Sequence, residues 1–371
     1  MGWREAFLTR FGTAWMGGCP LGVWLRVLRD NRFSIDPPYW GRVLAISATC
    51  IPNSVTAWWE NTVRGGRIRS ATDYPPLFIL GIWRSGTTLL HNLLTRDERF
   101  AFPNNYQVCF PQTFLTTERM AARFVGAMTP AKRPQDNMSI GVREPQEDEF
   151  AFASMTGRAA VMAWCFPRNA EYYDRYLTLR GLSEPERAEW SAALAWFVKK
   201  LSYRYGRPLV LKSPGHTCRI KVLLDLFPDA RFVHIHRNPY DIFPSMRHTF
   251  RAIAPWLTFQ RSTDSGLDDR VVKLYRDVYD AFFEERGLIP AGRYCEIAFE
   301  DLEKDPLGQM RRLYETLILP DFTAVEPALQ QYVTTLAGYK KNTFKDLPAE
   351  LKCRLAQEWR RCFDEWGYSI E

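Results

Sequence analysis

Four short runs rich in apolar residues punctuate longer stretches of helical spacing: Leu77–Leu80, Pro208–Leu211, Arg231–His236 and Arg293–Ala298. Apolar runs without strict alternation mark strands buried on both faces. Between them the period changes. Residues 88–94 have helical spacing. Residues 183–204 begin with Ser183, Pro185 and Glu186, an N-cap, an early proline and a capping box. Residues 216–227 predict a helix closed by Pro228-Asp229, and Pro239 leads another. Residues 268–285 carry Val272, Tyr275, Tyr279 and Phe282 at helical intervals. A last helix is expected from about Pro348 to Trp366, stopping at Gly367. Strands alternating with helices predict an α/β fold, a central parallel sheet with helices on both faces.

Residues 1–74 follow another pattern. Trp3, Phe7, Phe11 and Trp15 fall four apart, one stripe down a helix, and Arg residues interleave with Trp24, Trp40, Trp58 and Trp59. A basic, aromatic, amphipathic stretch suits a helical cap on the main core, a membrane surface or a gate for a lipid substrate. With no internal repeat or low-complexity linker, the best division is a helical N-terminal extension, 1–74, and one α/β domain, 75–371.

Composition narrows the class. Of 371 residues, 46% are apolar and 25% charged, which excludes a mostly disordered chain. The net charge of +7 suits an anionic ligand or an anionic membrane surface and is too small by itself to argue for nucleic acid. The 8 Cys form no CxxC pair and no zinc-like cluster with His, so free thiols in a reducing cytoplasm are expected. No run approaches a membrane span. The first residues lack the apolar segment of a signal peptide and the Ser or Thr at position 6 of a myristoylation signal. The expected location is cytoplasmic or peripheral at a membrane.

The candidate chemistry begins at residues 81–88, Gly-Ile-Trp-Arg-Ser-Gly-Thr-Thr. A loop between a buried strand and a helix start aims backbone N–H groups at one point, where the helix dipole favours an anion. Arg84, Ser85, Gly86, Thr87 and Thr88 are the candidate phosphate-binding residues. A Walker loop would have Lys where Thr87 stands, and no acidic strand end is well placed to hold Mg²⁺. At the end of the third strand stands Arg237, a planar cation at the carboxyl end where α/β sheets bind ligands.

These segments resemble the sulfotransferases that use PAPS, 3′-phosphoadenosine-5′-phosphosulfate. Residues 76–90 look like the family's 5′-phosphosulfate loop, in the Arg-Ser-Gly-Thr-Thr form of bacterial and tyrosylprotein members. Arg237 and Ser245 match its 3′-phosphate pair, Tyr294 to Pro306 its later strand and turn, and residues 338–344, with Lys341 and Asn342, the segment that folds over the nucleotide. The resemblance spans roughly 75–368. It implies a P-loop-like architecture and PAPS as co-substrate without metal. It also implies sulfuryl transfer to a hydroxyl, less readily an amine, of a small-molecule or lipid-like acceptor.

Such a transfer needs charge stabilisation at the leaving phosphate and a base for the acceptor. Arg84 is the first candidate for the charge and Lys212, at the second strand's end, the second; tyrosylprotein members have a Lys at the corresponding position. Their basic Glu, about twenty residues after the loop Arg, is missing here, where Pro103-Asn-Asn-Tyr106 stands. The acids of Arg143-Glu-Pro-Gln-Glu-Asp-Glu149 are the nearest substitutes. Related bacterial members carry similar text after a segment like Arg133-Pro-Gln-Asp-Asn-Met138. Glu147 leads, then Glu149, with His216 and His91 as alternatives; crowded acids raise one pKa, although acids at a helix start are also simply favoured by its dipole. Competing readings are a P-loop kinase for a small hydroxylated molecule and a non-catalytic nucleotide- or membrane-binding module.

Overall fold

The structure, a computed structural model, describes residues 8–9, 11–128, 133, 135–136, 141–261, 263–336, 338 and 341–370. Trp3 and Phe7 of the N-terminal stripe, Pro134, Asn137 and Met138 of the 133–138 segment, and Tyr339 and Lys340 of the 338–344 segment lie outside the described residues. The chain divides into two compact units. One comprises residues 1–73, 102–206 and 250–264, the other 74–101, 207–249 and 265–371.

The second unit is built on a parallel sheet of β1 (Leu77–Leu80), β2 (Val210–Lys212), β3 (Arg231–His236) and β4 (Tyr294–Ala298), in the order β2-β1-β3-β4. Ile79 sits opposite Lys212 on one side and Val233 on the other. β2 starts two residues later than the apolar run suggests. Proline has no N–H for a ladder; the Pro208 and Leu209 carbonyls instead accept from Ala101 N and Leu77 N, both at 2.8 Å.

Strand side chains alternate between two covered faces. Leu77, Ile79, Val233, Ile235 and Ile297 pack with Leu90 and Leu93 of the Thr87–Leu94 helix and Leu313 of the Pro306–Thr316 helix. On the opposite face Phe78 stacks on Phe232 at 5.7 Å, and His234 on Phe282 of the Leu267–Glu285 helix at 4.2 Å. This is the α/β arrangement that the alternating pattern predicts.

The last helix departs from its sequence pattern. It is two helices, Ala349–Glu358 and Arg360–Trp366, interrupted at Trp359. The Trp359 ring is buried, stacked on Tyr275 at 3.9 Å, and its Nε1 donates to Val272 O at 3.1 Å. Anchoring that ring outweighs one turn of helix continuity.

The first unit is helical. Its main helices are Leu21–Asp30, Trp40–Arg69, Phe114–Met128, Glu149–Thr156 and Glu184–Tyr205. Phe152 meets Trp190 edge-on at 5.3 Å, and Trp24 Nε1 donates to Ser47 Oγ at 2.9 Å. The capping residues act as the sequence predicts: Ser183 N and Oγ both donate to Glu186 Oε2, at 3.1 and 2.8 Å. Among the described residues no helix is long and apolar enough to cross a membrane.

Candidate active site

β1 delivers the chain into a turn that needs left-handed backbone at three places: Gly81 (φ 143°), Arg84 (φ 75°) and Gly86 (φ 104°). Two of the three require glycine for space as well. A Cβ on Gly86 would lie 2.4 Å from Phe299 Cδ2, and one on Gly81 2.6 Å from Ile235 O. Arg84 has no such freedom, so its conformation costs roughly 1–3 kcal/mol, strain that clusters at functional sites. The turn is fastened from within: Ser85 Oγ donates to Ile82 O at 2.8 Å, and Gly81 N donates to Thr217 Oγ1 at 2.7 Å. It opens onto the N-terminus of the Thr87–Leu94 helix, with Thr87 buried and Thr88 half-buried. The first N–H groups of a helix have no intrahelical partner, which makes that end an anion site.

β3 delivers the second motif. Arg237 follows its last residue, and the Pro239–Leu257 helix then carries Ser245. Arg84 Nε donates to the buried Ser245 Oγ at 2.9 Å, so segments 161 positions apart in sequence meet here. Arg237 Nη1 reaches the Arg84 carbonyl at 3.4 Å and Nη2 reaches Asp241 Oδ2 at 3.3 Å, both long bonds. Its guanidinium lies 4.6 Å from the centroid of the Phe299 ring, and its buried Nε has no partner among the described residues.

A cavity of about 380 Å³ opens beside it. Arg237, Lys341, Lys345 and Lys352 line it, against Asp241 and Asp346, together with Tyr240 and Asn342. Lys341 is held by Glu303 at 2.6 Å. Four cations against two carboxylates, an uncommitted buried guanidinium N–H and a nearby helix start form a donor set that fits an anionic ligand. Sequence reasoning did not single out Thr217, Tyr240, Phe299, Lys345 or Lys352. Tyr240, three residues after Arg237, had a local signal; the others are brought in by distant segments.

Lys212 ends β2 and is buried, and His216 is buried in the short 3₁₀ turn Pro214–Cys218, edge-on to Phe78 at 5.1 Å. Burial, aided by the Lys212 charge, holds His91 well below the ordinary histidine range, while a backbone bond at Val210 opposes them. His91 is therefore neutral at physiological pH.

The acidic candidates belong to the helical unit. Glu147, Asp148 and Glu149 are all buried, at the start of the Glu149–Thr156 helix. The run just before them pairs with the segment where the tyrosylprotein base is missing. Asn104 and Pro145 form an antiparallel bridge, Asn105 N donates to Glu144 O at 3.1 Å, and Gln146 N donates to Pro103 O at 3.0 Å. Chain positions some forty residues apart thus share one location, which no local sequence signal reveals. Among the described residues, no group of three or more His, Cys, Asp or Glu is arranged to hold a metal ion.

Comparison with known proteins places this geometry. Residues 75–324 match the model of the sulfotransferase family. Over 352 residues the chain is 37% identical to omega-hydroxy-beta-dihydromenaquinone-9 sulfotransferase Stf3 of Mycobacterium bovis, covering 95% of this chain and 90% of that one. The Mycobacterium tuberculosis protein of that name matches equally. Among solved structures, sulfotransferase STF9 from Mycobacterium avium superposes with a TM-score of 0.65 at 18% identity, covering 95% of this chain and 97% of that one. STF1 from Mycobacterium tuberculosis gives 0.66 at 18% identity, covering 91% and 90%. These two likenesses bear on the fold. With two thirds of its length inside the family model and a relative matched almost end to end, the chain belongs to the sulfotransferase family and is a sulfotransferase, not a P-loop kinase or a non-catalytic module.

Proposed function

We propose that this enzyme uses PAPS as donor and sulfates a hydroxyl of a lipid-like acceptor, releasing 3′,5′-ADP. The carrying observation is the Arg84–Ser245–Arg237 constellation, two anion-binding motifs joined at the carboxyl ends of β1 and β3. α/β sheets bind ligands at such strand ends, and PAPS has anionic groups on both sides of its ribose. Arg237, Ser245 and the cations of the adjoining cavity would hold the 3′-phosphate. Residues 85–88 would hold the 5′ end through backbone N–H groups and hydroxyls. PAPS supplies the sulfuryl group.

The chain's own residues do the rest. Arg84 is the group assigned to neutralise charge growing on the leaving phosphate, and Lys212 is the second cation for that task. Glu147 is the group assigned to take the proton from the acceptor hydroxyl. Its support is the pairing of residues 144–146 with 103–105, which brings the acidic run to the segment where tyrosylprotein members carry their base. Glu149 and then His216 are the alternatives. The acceptor class rests on the 37% identical relative, whose name gives an omega-hydroxy menaquinone derivative as its substrate.

The test is binding of 3′,5′-ADP without divalent metal, read as a rise in melting temperature. Arg237→Ala should lose about 1.5–3 kcal/mol of that binding, the range for a charged hydrogen-bond partner. Binding of 5′-AMP, which lacks the 3′-phosphate, should barely change. Equal binding of 3′,5′-ADP by wild type and Arg237→Ala would remove the assignment.

A further inference from the structure

The Trp40–Arg69 helix has two apolar sides, and only one of them is used in the fold. Ile46, Cys50, Glu60 and Ile68 face inward and are buried. On the other side Trp40, Leu44, Ile51, Val55 and Trp58 are all exposed, Leu44 at 69% and Trp58 at 68%. At 100° per residue these five fall within an arc of about 60°, and they extend over about 27 Å of helix. Trp59 is exposed beside them. A helical cap explains the buried side. It gives no reason for a continuous row of large apolar side chains in water.

Charge identifies the occupant. The helix has one acidic residue, Glu60, and it is buried against Lys200 Nζ at 2.5 Å. Its exposed charges are Arg67 and Arg69, in the last turn. The Phe114–Met128 helix is fastened to it: Arg64 Nη1 donates to Leu115 O at 2.6 Å, and Thr116 Oγ1 donates to Glu60 Oε2 at 2.6 Å. At 100° per residue Glu60 and Arg64 lie opposite the exposed row, so the Phe114–Met128 helix packs behind it and leaves the row uncovered. Exposed Trp and Leu with Arg, and no exposed acid on the longer helix, match the headgroup boundary of an anionic bilayer. Indole rings prefer that depth, and guanidinium groups pair with lipid phosphates. A protein partner would need a matching acidic rim, and a second copy of this surface would set Arg against Arg.

We propose that the outward face of the Trp40–Arg69 helix, with the basic last turn that ends it, docks the enzyme on an anionic lipid surface, the helix lying in the plane of the interface. Docking there adds a binding function separate from sulfuryl transfer. It would also bring the enzyme to acceptors dissolved in the bilayer.

The full chain should co-sediment with vesicles of phosphatidylglycerol and phosphatidylcholine at low salt, much less with phosphatidylcholine alone, and lose binding as salt rises. Arg67→Glu with Arg69→Glu should lower partitioning by roughly thirtyfold or more, since each basic residue near such a surface contributes roughly fivefold. Leu44→Ser with Trp58→Ser should weaken binding at every salt concentration. The 3′,5′-ADP thermal shift should stay as in wild type for both variants, which also reports that they fold. Failure of the wild type to bind anionic vesicles would overturn the proposal, as would unchanged binding by both variants. A concentration-dependent dimer that the Leu44→Ser, Trp58→Ser variant dissociates would assign the face to a second copy instead. Neither donor nor acceptor is present in the assay, so its failure would leave the sulfotransferase reading standing.

Discussion

Two clusters of buried or half-buried charge, one in each unit, are built in opposite ways. In the helical unit Lys200 and Glu60 close on each other at 2.5 Å, while Thr116 donates to Glu60 and Lys200 donates to Pro111 O at 2.8 Å. Burial pulls Lys200 down to about 8 even though the Glu60 charge and hydrogen bond hold it up. In the sheet unit Arg237 makes only long bonds, at 3.3 and 3.4 Å, and keeps a buried Nε without a partner among the described residues. The first cluster pairs its two opposite charges and ties helices together. The second is left short of partners beside a cavity rich in cations. An unpaired buried donor costs free energy, so its persistence at a strand end argues for a ligand that completes it.

Glu147 is the hardest case for this contrast, a buried acid of the helical unit assigned to chemistry. Glu147→Gln should lower turnover by roughly 10²–10⁴, the usual share of a general base, without changing 3′,5′-ADP affinity. A phenolic acceptor already partly ionised at neutral pH should restore the Glu147→Gln rate and not that of Lys212→Ala. Near-normal turnover of Glu147→Gln on an aliphatic alcohol would make the acidic run structural and move attention to Glu149.

Next in size is the buried pair. Lys200→Met leaves the Glu60 carboxylate buried without its cation and should cost about 3–5 kcal/mol of stability, whereas Glu60→Leu combined with Lys200→Met should recover most of it. Chemical denaturation measures both. Arg237→Ala should show the converse, weakened nucleotide binding with an unchanged denaturation midpoint. If Arg237→Ala destabilised the fold as Lys200→Met does, the two clusters would not differ in kind.

The smallest effect is a dependence on pH. Burial, helped by the His234 charge, lowers His236 to about 4 from an ordinary 6.5, with Glu296 opposing. The unfolded chain therefore takes up this proton first, and stability falls as pH drops from about 6.5 to 4. For Glu296 burial acts upward, but the His234 and Tyr294 bonds and the nearby imidazoles outweigh it and hold the carboxyl at about 2, against an ordinary 4.5. Its stabilisation is present above about 4.5 and is lost as pH falls towards 2. The melting temperature should decline from pH 7 to 5, and His236→Gln should flatten that decline.

Much of the sheet unit was legible because its signals are local. A strand covered on both faces must be apolar nearly throughout, so β1 to β4 stood out to within a couple of residues. A tight strand-to-helix turn needs glycine where a side chain would strike Phe299 or Ile235 O, and Ser183 with Glu186 is a cap whose partners are three residues apart. The break at Trp359 had no such signal, because the helical period continues through it and the distant Val272 carbonyl decides the outcome.

By itself, then, the chain's chemistry determined the strands, the glycine turn after β1 and the helix caps, since each follows from neighbours along the backbone. Tertiary structure alone decided that Arg84 reaches Ser245, that residues 103–105 lie beside 144–146, and that residues 1–73 share a compact unit with 102–206. It also decided which apolar side of the Trp40–Arg69 helix meets the core. Helical periodicity reports that a face exists. When both sides are apolar, only packing against distant segments chooses between them.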